Sequence, residues 1–302
     1  MDSALINSAV GEQDLVQLYV KYPILKETAL AFNERKQILF SDSRESLYLH
    51  QASVAIVNLD ESSPTWVGSD DATSCHHLVL VSSKHVLFVH MDHDSRVPKV
   101  TPFISRNFDN REAIDCYLVG GFTSKASLAL TIFKLLCRLP YNFQLKLLCV
   151  AELNTKKENL INHPLHLGIA FNTRTCCLEP ARFALSARNP VGVLQHLISM
   201  VNSEDLVSTY ETNANKLRLA LFCTRPLLFF ADNCDPRENS TTPEQEPETY
   251  IQSFNKLKEF IRECAHRITT EIHLSYSFTN DGWKMDPNAA EEHLKQLRHI
   301  AY

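Results

Sequence analysis

Residues 75–90 read CHHLVLVSSKHVLFVH, two short and nearly continuous apolar runs split by a polar Ser-Ser-Lys turn. This pattern predicts a β-hairpin that is covered on both faces. A two-residue loop at Ser82-Ser83 would place Cys75 directly opposite His90, with their Cβ atoms about 4.5–5.5 Å apart. Because side chains alternate between the two faces of a strand, a register shift of one residue would separate the pair.

A thiol beside an imidazole is a catalytic combination. The histidine can lower the thiol pKa and expose the thiolate, and as imidazolium it can protonate a departing amine. Without a metal, Cys75 and His90 suit attack on an amide carbon and release of ammonia through a thioester. Ser69 is a candidate for holding the imidazole, and Asp92 competes with it for that role. The backbone N–H groups of residues 73–75 are candidates for stabilising the oxyanion.

Other interpretations of the same residues remain open. Cys75 can be a core residue of a strand, and the polar residues from Ser69 to Thr73 can be turn chemistry alone. A cluster of potential ligands also resembles a metal site, although its spacing matches no established zinc pattern. Its members are His76, His77, His85, His90, Asp92, His93 and Asp94. We therefore expect no metal and no cofactor, and keep a metal-dependent hydrolase as an alternative.

Strand-like and helix-like segments alternate irregularly along the chain. This favours an α+β fold with helices packed outside a largely antiparallel sheet sandwich, in a single domain over residues 1–302. Three segments flank or interrupt it: a helical segment at 12–34 broken near Pro23, a mobile acidic loop at 232–249 and a helical extension at 285–302. Helices are also predicted at 124–139 and 250–267, and strands at 116–119, 144–153, 166–172 and 271–278.

Composition excludes several classes of partner. The formal net charge is −5 and no basic cluster is present, which argues against nucleic acid. No run approaches the ~18 apolar residues that span a bilayer, and the first residues lack the features of a signal peptide. Nine cysteines without CxxC spacing indicate reduced thiols. We therefore expect a cytoplasmic or nuclear protein that does not bind membranes.

Several ordered blocks resemble the metazoan-type family of protein N-terminal asparagine amidohydrolases. They are GSDDATSCH at 68–76, LVGGF at 118–122, LCVAELN at 148–154, HLGIAFN at 166–172 and NDGW at 280–283. The resemblance implies that Cys75 is the nucleophile of a deamidation that converts an N-terminal asparagine to aspartate and feeds the N-degron pathway. The Cys-to-His spacing also resembles bacterial cysteine deamidases, which implies an α/β/β/α sandwich with His90 as base.

The implied substrate is a protein or peptide with an exposed N-terminal asparagine, and downstream enzymes of the N-degron pathway are implied partners. Recognising a free α-ammonium group calls for a carboxylate, and Glu152, Asp70 and Asp71 are the candidates. Thr73 and Ser74 complete the expected substrate-binding residues. The alternatives are a cysteine deamidase acting on internal glutamine or asparagine, and an adaptor that has lost catalysis.

Overall fold

The computed structural model describes residues 15–122, 127–188, 205–221, 231–238, 240–264 and 272–286. The strands in these residues are β1 (Ile38–Phe40), β2 (Ser46–Tyr48), β3 (Val54–Asn58), β4 (Trp66–Ser69), β5 (His76–Val81), β6 (His85–Met91), β7 (Ala113–Gly120), β8 (Asn142–Val150), β9 (Thr155–Glu158), β10 (Ile161–Pro164), β11 (Ile169–Asn172), β12 (Cys177–Phe183), β13 (Tyr210–Glu211), β14 (Lys216–Leu221), β15 (Ile272–Thr279) and β16 (Gly282–Met285). The α-helices are α1 (Leu15–Lys21), α2 (Pro23–Asn33), α3 (Thr101–Asn107), α4 (Ser127–Arg138) and α5 (Glu248–Cys264). Short 3-10 helices lie at Asp94–Val100, Ala151–Asn154, Leu185–Ala187 and Thr212–Ala214.

The central sheet has the strand order β3-β6-β5-β7-β8. Its neighbours are antiparallel except for β7 and β8, which run parallel. Strand β5 lies in the middle of this sheet and is buried along its whole length. This explains its nearly unbroken apolar sequence, because both faces of the strand are covered.

Two further sheets accompany the central one. The second sheet has the order β1-β12-β11-β4-β2 and mixes parallel and antiparallel pairs, and the third is the antiparallel β13-β14-β15-β16. Strands β9 and β10 form a separate hairpin. The fold is thus mixed α+β with several sheets, as the sequence predicted.

The core divides into layers on the two faces of the central sheet. Leu78, Leu80 and Leu87 face one apolar cluster, which also contains residues of α1, α3 and α4. Val79 and Phe88 face the opposite cluster, which contains residues of the second and third sheets and of α5. The catalytic candidates Cys75 and His90 share the alternation of Val79 and Phe88, so they belong to the face that meets the second sheet.

Several element predictions are confirmed, and a few need correction. The helical segment breaks between Lys21 and Pro23, where proline opens α2, and α5 falls on the predicted amphipathic stretch. The predicted strand at 144–153 ends at Val150, because Ala151 adopts a φ of 52° and starts a 3-10 helix. The first residues of the predicted 124–139 helix and residues 287–302 of the predicted C-terminal helical extension lie outside the described residues.

None of the helices in the described ranges is long and apolar enough to cross a membrane.

Candidate active site

The hairpin that carries the catalytic candidates differs in register from the prediction. His77 pairs with His90, and His76 pairs with Met91. The turn closes between Ser82 and His85, whose N–H and carbonyl oxygen are 2.9 Å apart, so its two central residues are Ser83 and Lys84. The predicted direct opposition of Cys75 and His90 is therefore wrong by two residues.

A shift of two residues preserves the face of each side chain. Cys75, just before β5, remains on the face of His90 but lies diagonal to it. Diagonal neighbours lie about 7–8 Å apart, within reach of long side chains. No hydrogen bond joins the Cys75 thiol to the His90 ring in this structure, and catalytic contacts commonly tighten only when substrate binds.

The imidazole of His90 is held from the second sheet. The Oγ atom of Ser69, at the end of β4, lies 2.6 Å from Nδ1 of His90, and both residues are buried. The ring of His77 packs edge-on against that of His90, with centroids 4.6 Å apart. The Nε2 atom of His90 is buried and has no hydrogen-bond partner. Ser69 rather than Asp92 therefore contacts the ring.

Burial keeps His90 neutral. It lowers the pKa of His90 to about 4, although the charges of Asp92 and Asp71 act in the opposite direction. In the tautomer whose Nδ1 donates its proton to Ser69 Oγ, the Nε2 lone pair is free to accept a proton. His90 in this state has a free lone pair that can accept a proton, while its low pKa makes it a weak base in the empty site.

The Cys75 thiol is also neutral at rest. Its residue is 6% exposed, and burial together with the charges of Asp92 and Glu246 raises the thiol pKa. A hydrogen bond with Ser74 acts against this shift. The expectation that the site lowers the thiol pKa is therefore wrong for the empty site, because desolvation and the charges of Asp92 and Glu246 raise it. The arrangement is a neutral thiol and a neutral imidazole, in which proton transfer must accompany attack.

The carbonyl of Cys75 is fixed by the glycine pair at the end of β7. The N–H of Gly121 donates to the Cys75 oxygen at 2.9 Å. Gly120 has a φ of 139°, and a Cβ atom there would lie 2.4 Å from the same oxygen. No larger residue fits this approach, so Gly120 permits close backbone packing.

The predicted carboxylates Asp70 and Asp71 lie in a buried ion-pair network. Nη2 of Arg188 lies 3.0 Å from Oδ1 of Asp70 and 2.5 Å from Oδ2 of Asp71, and Arg182 lies within 3.7 Å of Asp70. The hydroxyl of Tyr48 donates to Asp70 at 3.1 Å. Burial and the charge of Asp71 raise the pKa of Asp70 to about 7, against the influence of Arg188. Both carboxylates thus already have protein cations as partners.

The predicted substrate-binding residues Thr73 and Ser74 contact the segment of residues 240–249, which the sequence indicated only as part of a mobile acidic loop. The Thr73 hydroxyl donates to Oε1 of Glu246 at 3.1 Å. Ser74 Oγ lies 2.9 Å from Oγ1 of Thr241. The N–H of Thr73 donates to the carbonyl oxygen of Asp71 at 3.2 Å, so this N–H is not available to an oxyanion.

Glu246 is a residue of the site that the sequence analysis missed. No local signal marks it, because it lies 173 positions from Thr73 in a polar stretch. Only the packing of the 240–249 segment on the loop before β5 brings it near Cys75.

The remaining candidates lie apart or have other partners. Glu152 is exposed on the 3-10 helix after β8. Asp92 forms an ion pair with Arg96 and accepts a hydrogen bond from Gln51 at 3.0 Å. In the described part of the chain, no three His, Cys, Asp or Glu side chains are grouped so that they could hold a metal ion.

Comparisons with known proteins identify the family of the chain. The family model described as protein N-terminal asparagine amidohydrolase matches residues 36–279, a range that contains Ser69, Cys75, His90 and Glu246. A relative from Sus scrofa named protein N-terminal asparagine amidohydrolase is 27% identical over 79% of this chain and 83% of its own length. The relative of the same name from Homo sapiens is 27% identical over 72% of this chain and 74% of its own. The chain therefore belongs to the protein N-terminal asparagine amidohydrolase family.

Proposed function

We propose that this protein hydrolyses the side-chain amide of an N-terminal asparagine in proteins and peptides, giving aspartate and ammonia. Membership of the family supports the reaction class. The single structural observation that carries the proposal is the buried His90 ring, oriented by Ser69 and with a free Nε2, on the same sheet face as Cys75.

In the first half of the proposed reaction, Nε2 of His90 accepts the thiol proton as sulfur attacks the carboxamide carbon. The tetrahedral intermediate collapses when the carbon–nitrogen bond breaks, and the proton on Nε2 passes to the departing nitrogen, which leaves as ammonia. A thioester between Cys75 and the substrate remains. Proton transfer of this kind typically contributes ~10²–10⁴-fold to the rate.

In the second half, His90 is again neutral and removes a proton from water. The water oxygen attacks the thioester carbon, and the carbon–sulfur bond breaks. The released sulfur recovers the proton from His90, which restores the starting state. The net change is addition of water and loss of ammonia, with no oxidant, metal or cofactor in the sequence of steps.

The roles of the other candidates follow from their contacts. Ser69 orients His90, whereas Thr73 and Ser74 line the approach to Cys75 and connect it to the 240–249 segment. Asp70 and Asp71, paired with Arg188, support the loop that delivers the cysteine. Glu152 is a weaker candidate for substrate binding, because its exposed position gives little desolvation.

The same proposal includes the sandwich architecture, the cellular compartment and the partner enzymes. A catalytic cysteine just before β5 and a histidine on the neighbouring β6, with α1, α3 and α4 on one face of their sheet and the second sheet on the other, support an α/β/β/α sandwich like that of cysteine deamidases. The free thiols of the described cysteines are consistent with a reducing compartment, the cytoplasm or nucleus. There the aspartate product would pass to downstream enzymes of the N-degron pathway.

The decisive experiment is mass spectrometry of an Asn-initiated peptide incubated with the protein. We expect replacement of –NH₂ by –OH at the first residue, and no reaction with Cys75→Ala. Cys177→Ala, at an exposed cysteine outside the site, is the matched control and should keep full activity. Deamidation by a folded Cys75→Ala variant would refute the mechanism. Activity on peptides with internal or N-acetylated asparagine would instead favour the internal deamidase alternative.

A further inference from the structure

Hydroxyl groups near the nucleophile hold Glu246 in place, and all of them donate to the same one of its two carboxylate oxygens. Oε1 accepts hydrogen bonds from Thr73 at 3.1 Å and from Thr242 at 3.3 Å, and a short one from Ser240. The Thr242 hydroxyl oxygen also lies 2.8 Å from the Thr73 hydroxyl oxygen, and its single proton is shared between that oxygen and Oε1. The carboxylate is therefore held in a fixed position. It contacts Thr73, which lies two residues before Cys75 in the chain.

The second oxygen of Glu246 has no partner. Oε2 is buried and accepts no hydrogen bond, and within the described ranges no lysine, arginine or histidine forms an ion pair with Glu246. Burial raises the pKa of this carboxyl group, as expected for a charge without compensation. A buried acceptor left in this state is costly unless a ligand satisfies it.

Glu246 is also close enough to the thiol to influence it. Its negative charge is one of the causes that raise the pKa of Cys75. The same charge raises the pKa of Tyr250, as does that of Cys75, so the three side chains share one neighbourhood.

The other carboxylates around Cys75 do not meet these conditions. Asp70 and Asp71 are paired with Arg188, and Asp92 is paired with Arg96. Glu152 is exposed. Glu246 alone among these five combines a buried, unsatisfied oxygen with the absence of a protein cation.

We propose that Glu246 binds the α-ammonium group of the N-terminal asparagine, an inference that rests on the proposed function. In asparagine only two carbon atoms separate the α-nitrogen from the carboxamide carbon. A group that holds the ammonium while sulfur attacks the carboxamide must therefore lie close to the sulfur, and Glu246 contacts Thr73, two residues before Cys75. An internal asparagine has no ammonium to offer, so Glu246 would supply the selectivity for chain ends.

The binding also has a consequence for the nucleophile. In the empty site the charge of Glu246 opposes ionisation of the thiol. A bound ammonium neutralises that charge, so transfer of the thiol proton to His90 becomes easier only when a free N-terminus is in place. Recognition and activation would then depend on the same ion pair.

The test is a cycle of two enzymes and two substrates. The enzymes are wild type and Glu246→Gln, which removes the charge but keeps the shape. The substrates are an Asn-initiated peptide and the analogue in which hydrogen replaces the α-amino group. We expect wild type to prefer the amino peptide by about 10–100-fold in kcat/KM, and Glu246→Gln to lose this preference, as befits one charged hydrogen bond. Glu244→Gln, an exposed residue of the same segment, is the control and should keep the preference.

The possible results distinguish a wrong role for Glu246 from a wrong proposed reaction. An active Glu246→Gln variant with the wild-type preference would overturn the assignment of Glu246 while leaving the reaction intact. An equal loss on both substrates would also overturn it, because it indicates a merely structural role. Inactivity of wild type on every Asn-initiated peptide would refute the proposed function itself. If Glu246→Gln does not fold, Glu246→Asp replaces it in the cycle, with a selective loss on the amino peptide expected.

Discussion

Two sets of carboxylates flank the loop that carries Cys75, and they differ in their partners. On the sheet side, Asp70 and Asp71 contact Arg188 and accept further hydrogen bonds, including one from the N–H of Phe183 at 2.7 Å. On the other side, one carboxylate oxygen of Glu246 accepts hydrogen bonds from hydroxyl groups, and the other oxygen accepts none.

The difference separates structural charges from charges available to a ligand. A buried carboxylate that already has a cationic partner gains little from a substrate, whereas one without a partner gains an ion pair. The acidic residues next to the nucleophile in sequence are therefore the structural ones. The residue from the distant 240–249 segment is the one available for binding.

Acidification is expected to have the largest effect, because His90 on the sheet side and two further histidines, His76 and His166, are buried and neutral. Burial lowers the pKa of His90 to about 4, of His76 to about 3 and of His166 to about 4. The unfolded chain binds protons below pH ~6.5 while the folded chain does not, so stability falls as pH drops from 6.5 toward 4. Each histidine should cost roughly 2 kcal/mol at pH 5, and the three together a large part of a typical folding free energy. Urea unfolding at pH 7 and pH 5, followed by tryptophan fluorescence, measures this.

His76→Leu isolates one of these contributions. Both ring nitrogens of His76 are buried, and neither makes a hydrogen bond of good geometry, so an apolar residue should be tolerated. The variant should recover ~2 kcal/mol of the loss between pH 7 and pH 5. His163→Gln, on the partly exposed β10 strand, should follow the wild-type curve. A variant at residue 76 that loses as much stability in acid as wild type would contradict the argument.

Arg188→Met tests the comparison directly. Arg188 is 3% exposed, and its loss leaves the more distant Arg182 as the cation nearest to Asp70 and Asp71. We expect the free energy of unfolding to fall by about 3–5 kcal/mol, the usual cost of breaking a buried pair. Glu246→Gln should change it by less than ~1 kcal/mol, because no protein cation is lost. Urea unfolding of both variants decides the matter, and the reverse ranking would mean that the two carboxylate groups have been assigned the wrong way round.

The sequence predicted the elements that carry the catalytic pair, but not their alignment. Continuous apolar runs at 75–81 and 85–90 are sufficient to predict strands. The register depends on which two of the residues between Val81 and Val86 form the turn, and the four polar residues there give no local preference. The prediction therefore missed by two positions, an error that leaves Cys75 and His90 on one face.

Other features depend on contacts that local patterns do not encode. The β9–β10 hairpin was missed because Lys156, Lys157 and Glu158 give it the composition of a loop. The position of Glu246 depends on hydroxyl contacts with residues far away in sequence, and in an acidic, proline-rich stretch it looks like any solvated charge. The Ser69–His90 contact could be predicted from the sequence, because Ser69 lies in the block at 68–76 and His90 ends the hairpin at 75–90.

Ser69→Ala is expected to have the smallest effect and tests how the sheet side serves the chemistry. The change removes the hydrogen bond at 2.6 Å to Nδ1 of His90, so the ring loses its preferred tautomer and orientation. Loss of one buried hydrogen bond of ~1–3 kcal/mol predicts a fall in kcat of about 10–100-fold with KM nearly unchanged. Because Ser69 acts through His90 rather than on the substrate, the variant should keep its preference for the free amino group, unlike Glu246→Gln. Ser69→Thr, which retains the hydroxyl, should recover part of kcat. A Ser69→Ala variant with wild-type kcat would show that packing against His77 is enough to hold the imidazole, whereas a selective rise in KM for the amino peptide would move Ser69 to the substrate-binding side of the comparison.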